Sequence, residues 1–228
     1  PFKNRLLFDE TADFIDETGH GTHISGIIAA VDTGRGVIGV APKASIYAVK
    51  VLGKGGRGPL DDVIAGMQWA VANKVQVANM SIGTSKDIEA LKQAVQAMNK
   101  AGIVLIAAVG NSSAPVMYPA AYPETIAVAA SDKNDTVARF SNGGPSVAFV
   151  APGVDIKSTY IKNEYGSLSG TSMAAPHISG LAALAIAAKG LSGAMAVRAA
   201  FKEAATPLRD APREQQGAGM IDAAKLVR

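Results

Sequence analysis

Two residues that could form a nucleophile and base pair stand at the starts of two apolar helical segments, far apart in the chain. Ser172 opens segment 172–189 and His20 opens segment 20–31. A serine hydroxyl is a weak nucleophile until a base removes its proton, and imidazole, with a pKa near 6.5, can be that base. The positive end of a helix dipole would also favour negative charge developing at Ser172. The two positions together predict a Ser/His hydrolase.

The other histidines are weaker candidates for the base. His177 follows Ser172 by five residues inside the same helical segment, beside small residues, and is predicted to have a structural role. His20 and His23 are about three-quarters of a helical turn apart, so both could face one side. Zinc is disfavoured because the metalloprotease pattern His-Glu-x-x-His is not matched. The chain has no cysteine, which excludes thiol catalysis and disulfides.

The serine segment does not fit the Gly-x-Ser-x-Gly elbow of the α/β-hydrolases. Thr171 precedes the serine, and Ala174 stands where the second glycine belongs. From about Phe14 to Ala223, the chain instead resembles the subtilisin-like serine proteases (subtilases), with several separate motifs in the right order. The motifs are GHGTH at 19–23, GVAP at 39–42, NMSIG at 79–83, AAVGN at 107–111, GTSMAAPH at 170–177 and GAGMIDA at 217–223.

The resemblance implies roles for the catalytic candidates. Ser172 would form an acyl-enzyme during hydrolysis of a peptide bond, and His20 would be its general base. Asn111 would donate its side-chain amide to the oxyanion, with the backbone N–H of Ser172 as second donor. His23 would only pack its helix. The implied activity is that of a serine endopeptidase.

Two further regions match the substrate-binding edges of subtilases. One would line the pocket for the residue before the scissile bond, and its small residues favour large apolar side chains. The other would pair with the substrate backbone as an added strand. The implied partners are polypeptide substrates and an N-terminal propeptide or inhibitor. The pocket residues are Ser81, Ile82, Gly83, Ala108 and Gly110, and the strand residues are Gly56, Arg57 and Gly58.

The third member of the triad, a buried Asp that orients the imidazole, is not recognisable. In subtilases it ends an apolar strand some thirty residues before the histidine, whereas only nineteen residues precede His20 here. Asp9, Asp13 and Asp16 have polar neighbours that indicate a solvated loop. We therefore expect residues 1–228 to be one subtilisin-like catalytic domain that is incomplete at its N-terminus. A degenerate relative that has lost catalysis is the alternative.

Alternating strand and helix patterns predict the fold class, a three-layer α/β fold with a mainly parallel sheet covered by helices on both faces. The motifs at 79–81 and 110–111 follow predicted strands, at the sheet edge where sites of such folds lie. Strands are predicted at 46–51, 75–80, 103–109, 126–130 and 147–150, and helices at 20–31, 60–73, 86–100 and 172–189.

The amino-acid composition of the chain excludes some classes of partner. With 228 residues and 48% hydrophobic content, the chain suits a single domain. The net charge of +3 is scattered along the chain, which argues against nucleic acid as a partner. Charged residues or glycines interrupt every apolar run before the roughly 18 residues that a membrane span needs. The subtilase resemblance implies an extracellular, secreted protein.

Calcium is the cofactor that the resemblance implies, because in subtilases the loop after the histidine helix supplies calcium ligands. Residues 31–37 occupy that place here. Arg35 weakens the match, since it adds positive charge where a hard cation prefers oxygen donors. The metal ligands therefore stay unassigned.

The sequence also allows two other functions and contains possible glycosylation sites. A peptide-binding module would use the same pocket and the 56–58 edge without turnover. A nucleotide-binding protein is suggested by the G-x-G-x-x-G pattern at 34–39, but that pattern follows a helix instead of a strand. Three glycosylation sequons, at Asn79, Asn111 and Asn134, carry little weight because the first two lie at strand ends assigned to the site.

Overall fold

A computed structural model describes the backbone of residues 3–4 and all of residues 15–228. The helices are α1 (His20–Ala29), α2 (Leu60–Ala72), α3 (Glu89–Lys100), α4 (Thr171–Lys189), α5 (Gly193–Ala204), α6 (Arg213–Gln216) and α7 (Ala223–Leu226). The strands are β1 (Lys3–Asn4), β2 (Tyr47–Ala48), β3 (Val77–Met80), β4 (Val104–Ala108), β5 (Ile126–Ser131), β6 (Val147–Pro152), β7 (Ile156–Tyr160), β8 (Glu164–Leu168), β9 (Ala205–Thr206) and β10 (Met220–Ile221).

A six-stranded sheet in the order β3-β4-β5-β6-β10-β9 forms the centre of the fold. Its strands run parallel except β9, which pairs antiparallel with β10. Every residue of β4 and β5 is buried, as expected for parallel strands covered on both faces. The predicted three-layer α/β architecture is confirmed.

The strand β4 shows how the two faces of the sheet are covered. Val104 and Ile106 point into a cluster with residues of α4 and α5. Leu105 and Ala107 point the other way, into a cluster with residues of α2 and α3. This alternation follows from the two-residue period of a strand. The helix that carries Ser172 therefore rests on one face of the sheet, with its first turn at the carboxyl ends of β3 and β4.

Helix α4 lies in the core and carries many small residues. Ala174, Ala175 and Ala182 are fully buried, and Gly180 lies so close to Val40 that a Cβ there would be 2.6 Å from the valine Cβ. In the described part of the chain, α4 is the one helix long and apolar enough to cross a membrane. Most of it is buried against the sheet and neighbouring helices, which accounts for its apolar composition.

Several elements differ from the sequence predictions. The strand expected at 46–51 is only the exposed β2, paired with β1 outside the main sheet. Helix α3 begins at Glu89 and not at residue 86. The hairpin of β7 and β8 was not predicted, because most of its residues are polar and form no apolar pattern. Helix α5 was not predicted either.

Candidate active site

Ser172 is the second residue of α4 and is half-buried. Its hydroxyl donates to the backbone carbonyl of Ser81 over a long 3.3 Å. This bond is weak by its length, so the hydroxyl can turn toward a base at little cost. The backbone carbonyl of Ser172 in turn accepts a 2.9 Å bond from the Ser81 hydroxyl. The two serines are therefore joined by reciprocal hydrogen bonds.

Asn111 holds the beginning of α4 from the end of β4. Its Oδ1 accepts 2.8 Å bonds from both the backbone N–H and the hydroxyl of Thr171. A backbone donor on that atom fixes which end of the amide is oxygen, so Nδ2 must face the other way. The Thr171 hydroxyl also accepts from the backbone N–H of Gly110, at 3.2 Å. These hydrogen bonds join the residues that follow β4 to the first residue of α4.

Two N–H donors converge beside Gly170. A Cβ placed on this glycine would lie 3.4 Å from Asn111 Nδ2 and 3.7 Å from the backbone nitrogen of Ser172. Apart from the adjacent residues, no atom lies closer than 3.4 Å to that point, so the space beside Gly170 is open and is bordered by both nitrogens, with Asn111 Oδ1 next nearest at 3.8 Å. Donors fixed in advance around a developing oxyanion stabilise it strongly. The arrangement has the chemistry of an oxyanion hole next to Ser172.

His20 is the first residue of α1 and is half-buried. Burial lowers the pKa of its imidazole below the usual value, the charge of Asp16 raises it in part, and His23 lowers it further. The net effect favours neutral imidazole at neutral pH, the form that accepts a proton. Gly19 precedes it with φ +81°, and a Cβ there would collide with the Tyr160 ring.

Helices α1 and α4 pack against each other. His23 is close enough to His177 to lower its pKa, and further along both helices the carbonyl of Ile28 would lie 3.5 Å from a Cβ on Gly180. Contacts that advance together along both helices place their N-termini at one end. Within residues 15–228, the Ser172 hydroxyl bonds Ser81 and makes no hydrogen bond with His20.

Asp16 is not the solvated carboxylate that its polar neighbours suggested. Its two oxygens accept bonds of 2.7–3.0 Å from the backbone N–H groups of Thr18, Gly19 and Thr22 and from the two threonine hydroxyls. Partial burial raises its pKa, but the bonds from Thr22, Thr18 and Gly19 outweigh this and hold the pKa at about 2. Asp16 therefore caps the beginning of α1.

The acid that would orient His20 is not found among the described residues. No hydrogen bond joins the His20 imidazole to Asp16 or to any other carboxylate in residues 15–228. Asp9 and Asp13, the other candidates from the sequence, lie outside the described residues. The structure thus assigns Asp16 to the helix and leaves the third member of a triad without a candidate in the described part.

Acid should weaken the Asp16 cap. Its pKa of about 2 lies below the ordinary 3.8, so its stabilising contribution is complete above pH 3.8 and is lost as the pH falls toward 2. We expect Asp16→Asn to lower the thermal unfolding midpoint at pH 5, with a difference from wild type that shrinks on the way to pH 2. Asp32→Asn, at an exposed loop, is the control. A difference that stays constant over this range would contradict the assignment.

The two remaining histidines have structural bonds. His23 is fully buried, and its Nε2 donates to the carbonyls of Ile156 (2.9 Å) and Gly166 (3.1 Å), so the proton sits on Nε2. His177 Nδ1 donates to the carbonyl of Met173 at 2.9 Å. Burial lowers the pKa of both. These bonds to backbone carbonyls support the structural roles expected for both histidines.

Two of the predicted pocket residues bond the start of α4, Ser81 at Ser172 and Gly110 at Thr171, and Met117, which the sequence did not indicate, packs beside the pocket glycines. Ala108 ends β4, and Ser81, Ile82 and Gly83 follow β3. Met117 packs against both glycines, because a Cβ on Gly83 would be 3.3 Å from Met117 Cβ and one on Gly110 would be 2.7 Å from its Sδ. Met117 therefore occupies part of the space expected to be open. Its neighbour Tyr118 bonds Thr84 on the same edge.

The other predicted edge is an exposed turn between β2 and α2. The backbone N–H of Gly53 donates to the Arg57 carbonyl, and that of Gly56 donates to Gly53, both at 2.9 Å. Gly58 lies against the Val51 carbonyl. No bond links Gly56, Arg57 or Gly58 to Ser172 within the described chain. Their role toward a substrate stays a prediction.

The loop at 31–37 fits a calcium ion poorly. Its one carboxylate, Asp32, accepts the backbone N–H of Gly34 at 2.9 Å, and the Thr33 hydroxyl donates to the Arg35 carbonyl at 3.3 Å. Oxygens that bond within the loop are not arranged around a cation. In the described residues, no group of three His, Cys, Asp or Glu side chains could hold a metal ion.

The sequon asparagines differ in their surroundings. Asn79 Nδ2 donates to the Ser81 hydroxyl and Asn111 Oδ1 accepts from Thr171, so both side chains are engaged at the site. Asn134 is exposed in the turn after β5. The first two sequons are thus part of the site's hydrogen bonding, in keeping with the little weight given to glycosylation.

Comparison with known proteins gives a consistent result. Residues 8–219 match the model of the family described as "Subtilase family". The "Thermostable alkaline protease" of Halalkalibacterium halodurans is 50% identical over 170 residues, which cover 74% of this chain and 47% of the relative. "Subtilisin DY" of Bacillus licheniformis is 44% identical over 214 residues, covering 92% and 78%.

A third relative is the "Minor extracellular protease Epr" of Bacillus subtilis. It is 41% identical over 214 residues, which cover 92% of this chain and 33% of the relative. The chain therefore spans about half the length of the first of these relatives, about a third of the third and nearly four fifths of Subtilisin DY.

Proposed function

The chain belongs to the subtilase family, and from this premise we propose that it is a serine endopeptidase that hydrolyses peptide bonds through an acyl-enzyme on Ser172. The observation that carries the proposal is the pair of donors beside Gly170, next to a serine at a helix N-terminus. Such a constellation suits a reaction in which an oxyanion develops beside that serine. Polypeptides are the proposed substrates.

In the first half of the reaction His20 removes the proton of the Ser172 hydroxyl as Oγ forms a bond to the substrate carbonyl carbon. Negative charge moves to the carbonyl oxygen, which accepts bonds from Asn111 Nδ2 and the Ser172 N–H. His20 then gives its proton to the leaving amine, and the carbon–nitrogen bond breaks. The lowered pKa of His20 keeps it neutral at the start, ready to accept.

In the second half a water molecule attacks the acyl-enzyme, with His20 again taking a proton. The same two donors hold the second oxyanion, and the proton returns to Ser172 as the carboxylic acid leaves. No step needs a metal ion. Calcium is not part of this proposal because the loop at 31–37 uses its oxygens internally.

An extracellular site of action is proposed as well. Its support is the printed name of a relative, the "Minor extracellular protease Epr". Protein isolated from the culture medium and from the cells of the source organism would test it, with the greater part expected in the medium. A purely intracellular location would contradict it.

Removal of the Asn111 side-chain N–H donor should lower the turnover number. Asn111→Ala removes Nδ2 from the oxyanion space, and kcat should fall by roughly 10² to 10³ with little change in KM, the size known for the corresponding donor of subtilisin. Steady-state hydrolysis of a peptide amide measures both constants. Thr171→Val, which removes a hydroxyl bonded to Asn111 Oδ1 but leaves Nδ2 in place, is the matched control. Equal losses in both variants would show that Asn111 only anchors the helix.

Met117 should set the size of residue accepted before the scissile bond. Met117→Ala opens space beside Gly83 and Gly110, so kcat/KM for an aromatic residue at that position should rise roughly tenfold relative to alanine. A set of peptides that differ only at that residue measures the change. Met195→Ala, at an exposed position on α5, is the control. An unchanged preference would place the pocket away from Met117.

A further inference from the structure

The carbonyl of the proposed nucleophile's own residue cannot be satisfied inside its helix. In an α-helix the carbonyl of one residue accepts from the N–H four residues later. Four residues after Ser172 stands Pro176, within α4, and proline has no N–H. The proline ring also crowds that carbonyl. The backbone of Ser172 therefore needs a donor from outside the helix.

Ser81 supplies this donor. Its hydroxyl donates to the Ser172 carbonyl at 2.9 Å, and at 7% exposure its side chain leaves little room for water to take its place. Asn79 Nδ2 donates to the same hydroxyl at 2.9 Å, so the Ser81 hydrogen is left to point at Ser172. The direction of the bond is thus set by Asn79.

A second serine on α4 completes the connection. Ser179, seven residues and so about two turns after Ser172, is 2% exposed and donates to Asn79 Oδ1 at 2.9 Å. Helix α4 is therefore held at two points to the residues around the end of β3. Hydrogen bonds thus run in sequence from Ser179 through Asn79 and Ser81 to Ser172.

We propose that Ser81 is a positioning residue, whose hydroxyl replaces the hydrogen bond that Pro176 removes and so fixes the backbone of Ser172. That backbone carries both the attacking Oγ and the N–H aimed at the oxyanion space. The inference rests on the proposed function of Ser172 and adds to the pocket-lining role expected for Ser81. It gives Asn79 a role as well, because Asn79 orients the Ser81 hydroxyl.

A positioning role for Ser81 can be distinguished from pocket lining, because only the positioning role depends on Pro176. In the Pro176→Ala variant the backbone N–H four residues after Ser172 is restored, and the helix can satisfy the carbonyl itself. Ser81 would then be dispensable for positioning. A residue that merely shapes the pocket would matter equally whether or not proline stands at 176.

The test is a double-mutant cycle of Ser81→Ala and Pro176→Ala in the natural protein, with Ser81→Thr as the conservative variant. The first readout is the limiting rate at which a small dialkyl phosphorofluoridate, which has no side chain for the pocket, phosphorylates Ser172 with loss of fluoride. Ser81→Ala should slow this rate about tenfold, as expected for one buried hydrogen bond, and Ser81→Thr should restore most of it. In the Pro176→Ala background, Ser81→Ala should change the rate less than about threefold.

The second readout is the thermal unfolding midpoint of the wild type, Ser81→Ala, Pro176→Ala and the double variant. Ser81→Ala should lower it when Pro176 is present, and much less in the Pro176→Ala background. Equal losses in both backgrounds, in rate and in midpoint, would overturn the proposal. Failure of the wild-type protein to react would overturn the proposed function and with it any positioning of a nucleophile, while the unfolding cycle would still decide whether the hydrogen bond replaces the missing N–H.

Discussion

Ser172→Ala and His20→Ala should each reduce peptide hydrolysis by roughly 10⁶-fold, the size of loss known for the matching changes in subtilisin. Ser172 provides the atom that attacks, and His20 takes the proton that attack releases. Because the two act as one unit, the double variant should be hardly slower than either single variant. Turnover of a peptide amide by purified protein measures all three, with the unfolding midpoint as a check on folding.

Two matched controls accompany this prediction. His177→Gln and Ser179→Ala alter a histidine and a serine on α4 whose bonds are to Met173 and Asn79 and not to a substrate. Their losses should be small beside those of the two catalytic variants. If His177→Gln were as damaging as His20→Ala, or if losses in the double variant multiplied, the assignment of base and nucleophile would be wrong.

A polypeptide whose residues 1–14 do not supply the orienting acid should be a poor protease. No carboxylate in residues 15–228 bonds the His20 imidazole, and Asp16 is committed to the beginning of α1. Without an orienting carboxylate the imidazole adopts the wrong tautomer and its positive charge is not stabilised. In serine proteases this costs on the order of 10⁴ in turnover, less than loss of the serine or histidine.

The comparison that checks this second prediction is between the 228-residue chain and the same chain produced with any residues that its gene encodes before Pro1. Where a segment before Pro1 supplies the acid, the shorter chain should be slower by roughly 10⁴, and Ser172→Ala should abolish what the longer chain gains. Asp9→Asn and Asp13→Asn, made in the shorter chain, should change little. Full activity of the shorter chain, lost in one of these two variants, would identify the acid and contradict the prediction.

The core elements and the main motif positions could be predicted because they leave local patterns. β4 and β5 are continuous apolar runs, and α4 is a long apolar segment that begins near its serine. β2 was overestimated because an apolar run does not tell whether partner strands exist to pair with it. The hairpin β7–β8 leaves no such run, since many of its side chains are exposed.

The contacts that tune the site could not be predicted, because they join residues far apart in sequence. Ser179 meets Asn79 across 100 residues, and Ser81 meets Ser172 across 91. Met117 has no motif around it and was missed for the same reason. One signal was available in the sequence: a proline four residues after Ser172 always leaves a helical carbonyl without its donor. Asp16 was misjudged because a cap and a solvated loop share the same polar composition.

The central claim is that Ser172 is an activated nucleophile, and covalent labelling tests it most directly. The natural protein would be treated with a fluorophosphonate probe, digested and examined by mass spectrometry to find the modified residue. The account predicts a single adduct on Ser172, none after Ser172→Ala, and strongly slowed labelling after His20→Ala. Labelling of another serine, or equal labelling of the wild type and His20→Ala, would contradict it.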